Sequence, residues 1–101
     1  MAILVRYETG EVSGMTRNIS LGGVFVESEQ RFAFGARVSV RFSIPTQEEP
    51  VEVEGHVRWT EAEEGVPRGF GIQFEGLRAR DVWALNKFFE MPLASDAGEQ
   101  A

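Results

Sequence analysis

A mostly β chain, a small antiparallel barrel or sandwich finished by one C-terminal helix, is the fold class this sequence predicts. Three observations carry that reading. Apolar and polar residues alternate with a period of two through most of the chain. Turn residues interrupt the alternation at roughly 8–12-residue intervals. After Gly76 the period changes to that of an amphipathic helix.

The elements follow in chain order. Ile3, Val5 and Tyr7 alternate with Leu4, Arg6 and Glu8, and Thr9-Gly10 ends this first run. Glu11 to Ser20 is less regular: Val12 and Met15 fall on opposite faces, and Gly14 between them predicts a bulge. Val24 and Val26 flank Phe25 in a short third run. Phe34-Gly35 then precedes the fourth, in which Val38, Val40, Phe42 and Ile44 alternate with Arg37, Ser39, Arg41 and Ser43. Pro45 to Pro50 is a polar loop. Val51, Val53, Val57 and Trp59, with Gly55, form the apolar side of a long fifth run, which places Trp59 in the core. Glu63 to Pro67 reads as a loop, and Phe70, Ile72 and Phe74 alternate with Gly71, Gln73 and Glu75 in the sixth run. From Leu77 to Glu90, Val82, Leu85 and Phe89 recur at helical spacing, with Leu77, Trp83 and Phe88 beside them and Arg78, Arg80, Asp81, Asn86 and Lys87 on the polar side. A helix of about 12 residues is too short to stand alone, so its stripe must pack on the barrel or on a partner. Pro92 stops it, and the small polar tail that follows predicts disorder, so residues 1–91 form one domain and 92–101 a disordered tail.

Composition narrows the function classes. The chain has 101 residues, 43% hydrophobic and 26% charged, with no cysteine and a net charge of −6. That length fits one domain. The absence of cysteine excludes disulfides and thiolate metal sites, and an acidic balance counts against DNA, RNA or anionic membranes. No apolar run approaches the ~20 residues of a membrane span. The apolar start Met1 to Val5 lacks a basic segment before it and a long apolar stretch, so it does not read as a signal peptide and a cytoplasmic location is expected. Acid gathers at Glu48, Glu49, Glu52, Glu54, Glu61, Glu63 and Glu64, read as a solvated face, whereas Arg6, Arg17, Arg31, Arg37 and Arg41 lie in the first half.

No catalytic constellation emerges. His56, the one histidine, lies on the polar side of a strand between Glu54 and Arg58, without a nucleophile or an orienting partner. A single histidine without cysteine makes a poor transition-metal site. Gly69-Phe70-Gly71 is not a phosphate loop, because neither a helix start nor a lysine follows. Glycines there fit close packing by a neighbouring side chain. No enzyme and no cofactor are expected.

The stretch with most chemistry is Asn18-Ile19-Ser20-Leu21-Gly22-Gly23, which puts an amide, a hydroxyl and two glycines between two strands. It can turn the chain tightly, or present short polar groups and bare backbone to a ligand. With Arg17 before it and Val24-Phe25-Val26 after it, it resembles the D/N-x-S-x-x-G turn of the PilZ domain family. Gly35 to Val40, Val53 to Trp59 and Gly69 to Phe74 are similar to that family's fourth, fifth and closing strands, so the resemblance runs from Ile3 to Phe89. It implies a six-stranded antiparallel β-barrel with one C-terminal helix, and binding of cyclic di-GMP, an anionic bacterial second messenger. In the family, R-x-x-x-R ahead of the first strand is the other half of the clamp, its arginines gripping phosphate and guanine edges through bidentate bonds. Asn18, Ser20 and Gly23 match the turn half. Only Met1 and Ala2 stand before the first run here, without R-x-x-x-R.

A hydrogen bond to a charged group contributes about 1.5–3 kcal/mol, so lacking two arginines lowers affinity by about two to four decades. The resemblance therefore implies a PilZ-type signalling module, a regulator of motility, pili or exopolysaccharide that works by protein–protein contact with weak or lost nucleotide binding. Trp83 and Phe88, with Phe89, are the candidate contact residues. The alternative is a working cyclic di-GMP receptor in which Arg6, Arg17, arginines encoded upstream of Met1 or a partner supply the cations around Asn18, Ser20 and Gly23. A third reading keeps the segment as a bare turn in a structural barrel.

Overall fold

The computed structural model describes residues 1–91; the expected stop at Pro92 and the expected disordered tail lie outside them. Six strands and one helix follow in order: β1 (Ala2–Tyr7), β2 (Gly10–Ile19), β3 (Gly23–Glu27), β4 (Arg37–Phe42), β5 (Val51–Glu63), β6 (Val66–Glu75) and α1 (Ala79–Glu90). All neighbouring strands are antiparallel, and they close into a barrel in the order β1-β2-β3-β6-β5-β4. The choice between sandwich and barrel is thus settled for the barrel. Alternation explains the filling: Ile3, Val5, Val24, Val26, Val38, Val40, Val51, Val53, Val57, Phe70 and Ile72 all point inward and are buried. The interior is packed with side chains, so the working surface is the outer wall.

Two expectations about register need correction. Gly14 sits in regular pairing opposite Ile3; the irregularity in β2 falls between Thr16 and Asn18, at Arg17. A second lies between Val57 and Trp59, at Arg58. One extra residue reverses which face the following side chains occupy. Trp59 is therefore on the outer wall and 49% exposed, not in the core. The expected loop Glu63 to Pro67 is also shorter than the sequence suggests. Only Glu64 and Gly65 connect β5 to β6, with φ of 52° and 81°, the left-handed pair of a tight hairpin turn.

Helix α1 joins the core through Ala84 and Leu85, with Leu77 and Phe88 packed beside them. The buried stripe is rotated from the one read in the sequence: Asp81 lies on it, and Phe89 is exposed. Asp81 is 0% exposed. Its Oδ1 accepts from the Gln47 side-chain amide at 3.0 Å, and Arg78 Nε and Arg80 Nε lie within 3.4 and 3.5 Å of its two oxygens. The first turn of a helix also favours an anion. Thr46 in the same β4–β5 loop donates its hydroxyl to the Ala84 carbonyl at 2.7 Å. Arg80 donates to Glu49 at 2.9 Å, and that bond holds the Arg80 guanidinium above its ordinary pKa. A loop of polar residues therefore ties the helix in place where its apolar stripe is narrow.

Candidate functional site on the outer wall

The pairing register draws one row of residues across four strands on the outer face: Asn18 on β2, Phe25 on β3, Gly71 on β6 and Trp59 on β5. The next row includes Glu27, Gly69 and Glu61. Two glycines on β6 leave the middle of this face without side chains, and large neighbours fill the space. A Cβ on Gly71 would collide with the Trp59 indole, and one on Gly69 with the Phe25 ring. The expectation that these glycines admit neighbouring side chains is met, and it identifies which ones.

Arg17, lifted out by its bulge, lies over Phe25 with its guanidinium carbon 4.0 Å from the ring centroid. The same guanidinium donates from Nη1 and Nη2 to the two oxygens of Glu61, at 3.1 and 3.0 Å. This is the fork geometry by which arginine holds carboxylates and phosphates. Both side chains are about half exposed, at 47% and 48%. The Arg17 bond is the main cause that holds the Glu61 carboxyl below its ordinary range, with Coulomb attraction adding to it and partial burial opposing it. The Glu61 bond likewise raises Arg17, and Glu27 adds a further negative charge nearby.

A carboxyl lowered in the folded state contributes stability above its unfolded pKa and loses it as pH falls through the folded value. Side-chain carbonyl NMR of Glu61 is therefore expected to titrate below an ordinary glutamate. Arg17→Gln should return it to the normal range. An unshifted Glu61 in the unaltered chain would show that the pair does not form.

The other residues of the motif are largely committed to the turn. Ser20 pairs with Gly23 across a two-residue loop: its N–H donates to the Gly23 carbonyl at 2.9 Å. Its Oγ accepts from the Gly22 N–H at 3.2 Å and donates to the Gly23 carbonyl at 3.4 Å. The Gly22 carbonyl accepts from Phe74 N–H on β6 at 2.9 Å. Gly23 is glycine because β6 passes so close that a Cβ would strike the Ile72 carbonyl. Asn18 remains exposed at the end of the row.

Arg6 does not join this group. β1 and β2 do pair, but the register sets Arg6 opposite Glu11, which takes its guanidinium at 3.4 Å. Glu11 is six residues from Arg17 along β2, about 20 Å at strand rise. Arg6 instead lines an open cleft of about 610 Å³ with Tyr7, Phe32, Ala36, Arg37 and Val38. Of the helix residues, Trp83 is 61% exposed with Lys87 over its ring, whereas Phe88 is half buried against the core.

Sequence reasoning missed Phe25, Trp59 and Glu61 as members of this face. The Gly-x-Gly of β6 carried the signal, since two glycines on one strand face need large neighbours. Glu61 had none, because its partner lies 44 positions away. His56 is less isolated than its strand position suggested: its Nδ1 meets a Glu75 oxygen, and Arg37 pairs with Glu54 beside them at 2.8 Å.

A closed barrel with a filled interior, a helix packed on its core and a polar turn on its wall defines a small β-barrel module. The model of the PilZ domain matches residues 1–90, and the chain belongs to that family. A solved structure, the Bacillus subtilis inhibitor of motility (MotI/DgrA), is similar with a TM-score of 0.74 at 23% identity, over 86% of this chain and 44% of that one. The likeness shows a shared fold, and this chain spans less than half of that neighbour's length. No curated protein matches the chain. No helix among the described residues is long and apolar enough to cross a membrane.

Proposed function

We propose that this chain is a PilZ-type signalling module that regulates motility, pili or exopolysaccharide through protein contact, with weak or lost binding of cyclic di-GMP. The observation that carries this reading is the state of Arg17. Its fork is filled by Glu61, Glu27 stands nearby, and Arg6 lies on another part of the wall. A dianionic ligand meets Arg17 already paired with a carboxylate. Trp83 supplies an exposed aromatic for a partner, a residue type that anchors interfaces when buried. The motility neighbour supports the pathway only as a relative in fold.

A second reading, a working receptor, draws support from Trp59. Its indole is exposed in the same row as Asn18 and offers a surface for a purine to stack on. One experiment separates the two. Calorimetry with cyclic di-GMP at low salt is expected to show no binding at micromolar concentration. Trp59 fluorescence, followed in a Trp83→Phe chain so that one indole reports, should stay unchanged. Micromolar binding with quenching of Trp59 would establish the receptor reading instead.

A further inference from the structure

We propose that Glu61 is a resident anion in the Arg17 site, so that a ligand enters this face by exchanging with a carboxylate of the protein itself. The inference rests on reading the Asn18 face as a ligand site and adds what controls it.

Geometry is the first support. Glu61 offers two coplanar oxygens to Nη1 and Nη2 at 3.1 and 3.0 Å, which is how a phosphate monoester or diester engages the same fork. The guanidinium is already placed for such a ligand, because it rests over the Phe25 ring. Position is the second support. Glu61 reaches Arg17 from β5 across β6 and β3, whereas nearby Glu63 lies close to the hairpin turn, paired with Val66, and is not a partner of the Arg17 guanidinium. Exposure is the third. Both partners are about half open to water, so the pair is weak enough to be displaced. The ligand class is an anionic oxygen pair attached to something planar, since the Trp59 ring lies on the adjoining row. Release of Glu61 removes the ion pair between β5 and β2, while Arg31 and the Ser28 N–H still hold the hairpin through the Gly65 and Arg68 carbonyls.

The test uses the full chain, inorganic phosphate and cyclic di-GMP as probes, and three proteins: unaltered, Glu61→Gln and Glu63→Gln. Both substitutions remove one negative charge from the same hairpin, and only the first touches Arg17. Arg17 Nε–Hε resonances and calorimetry at low salt are the readouts, because exposed pairs are screened. Glu61→Gln is expected to move the free Arg17 resonance and to tighten phosphate by about two- to fivefold, the worth of one exposed pair. Glu63→Gln should leave the resonance in place and tighten phosphate less. Equal affinity in all three proteins overturns the proposal, and so does equal tightening by both variants, which would make the effect one of net charge. If phosphate shows the exchange and cyclic di-GMP binds none of the three, the resident-anion role stands and the nucleotide reading of the face falls. If cyclic di-GMP binds the unaltered and Glu61→Gln proteins equally, Glu61 does not govern the site.

Discussion

Gly23→Ala is expected to destabilise the barrel by about 3 kcal/mol, at the upper end of overpacking costs, with no nucleotide present. The methyl group would strike the Ile72 carbonyl, which is backbone and cannot rotate away. Gly23 pairs with Gln73 at the start of the β3–β6 ladder, so the strands must separate where the barrel depends on them for closure. For a domain of this size each kcal/mol moves the thermal midpoint by about 4–8 °C. A fall of roughly 12–24 °C in circular-dichroism melting is the expected result. A chain that keeps its midpoint and loses nucleotide affinity would mean that the last glycine of the motif serves the ligand. The structure assigns it first to the sheet.

Asp81→Ala should cost about 2–3 kcal/mol, the range for leaving buried polar partners without their acceptor. Asp81 is fully enclosed, and its loss takes one acceptor from the part-buried Gln47 amide, which keeps the Glu49 carbonyl, and removes the negative charge beside Arg78 and Arg80, of which Arg80 keeps Glu49. Arg78 and Arg80 are about half exposed, so most of the effect comes from Gln47, from the space left behind and from the unfavoured first turn of α1. Urea unfolding followed at 222 nm measures it. Asp81→Asn keeps an acceptor for Gln47 and should lose clearly less. If both changes cost under about 0.5 kcal/mol, as ordinary surface substitutions do, Asp81 does not help to hold the helix.

The strands were legible because each buries one face, and burying one face writes a period of two into Val38 to Ile44 and Phe70 to Phe74. The helix was legible for the same reason at a different period. What the sequence concealed lies where one residue changes the phase. Arg58 inserts into β5 and turns Trp59 outward, although Val57 and Trp59 read as one continuous apolar side. Arg17 does the same to β2, where Gly14 looked the better place for a bulge. Asp81 read as polar surface because charge at a helix start usually is. The β4–β5 loop, folded back onto α1, together with Arg78 and Arg80 makes its burial tolerable. Of the site, Asn18, Ser20 and Gly23 were legible as a local motif. The contact of Arg17 with Glu61 was not, since it depends on three ladders standing in register between them.

The ring of six strands constrains how this module can communicate. Every strand has a neighbour on both sides in the closed ring, so among the described residues a ladder is open only where a strand outruns its partner, as β5 does beyond His56 on its β4 side and β2 does before Met15 on its β3 side. Strand addition, a common way for sheets to recruit peptides, is confined to those overhangs. Elsewhere on the ring, contacts fall to side chains standing off the wall or to the helix packed against it. Specificity in such a design evolves by exchanging single surface residues, while the hydrogen-bonded scaffold behind them stays untouched.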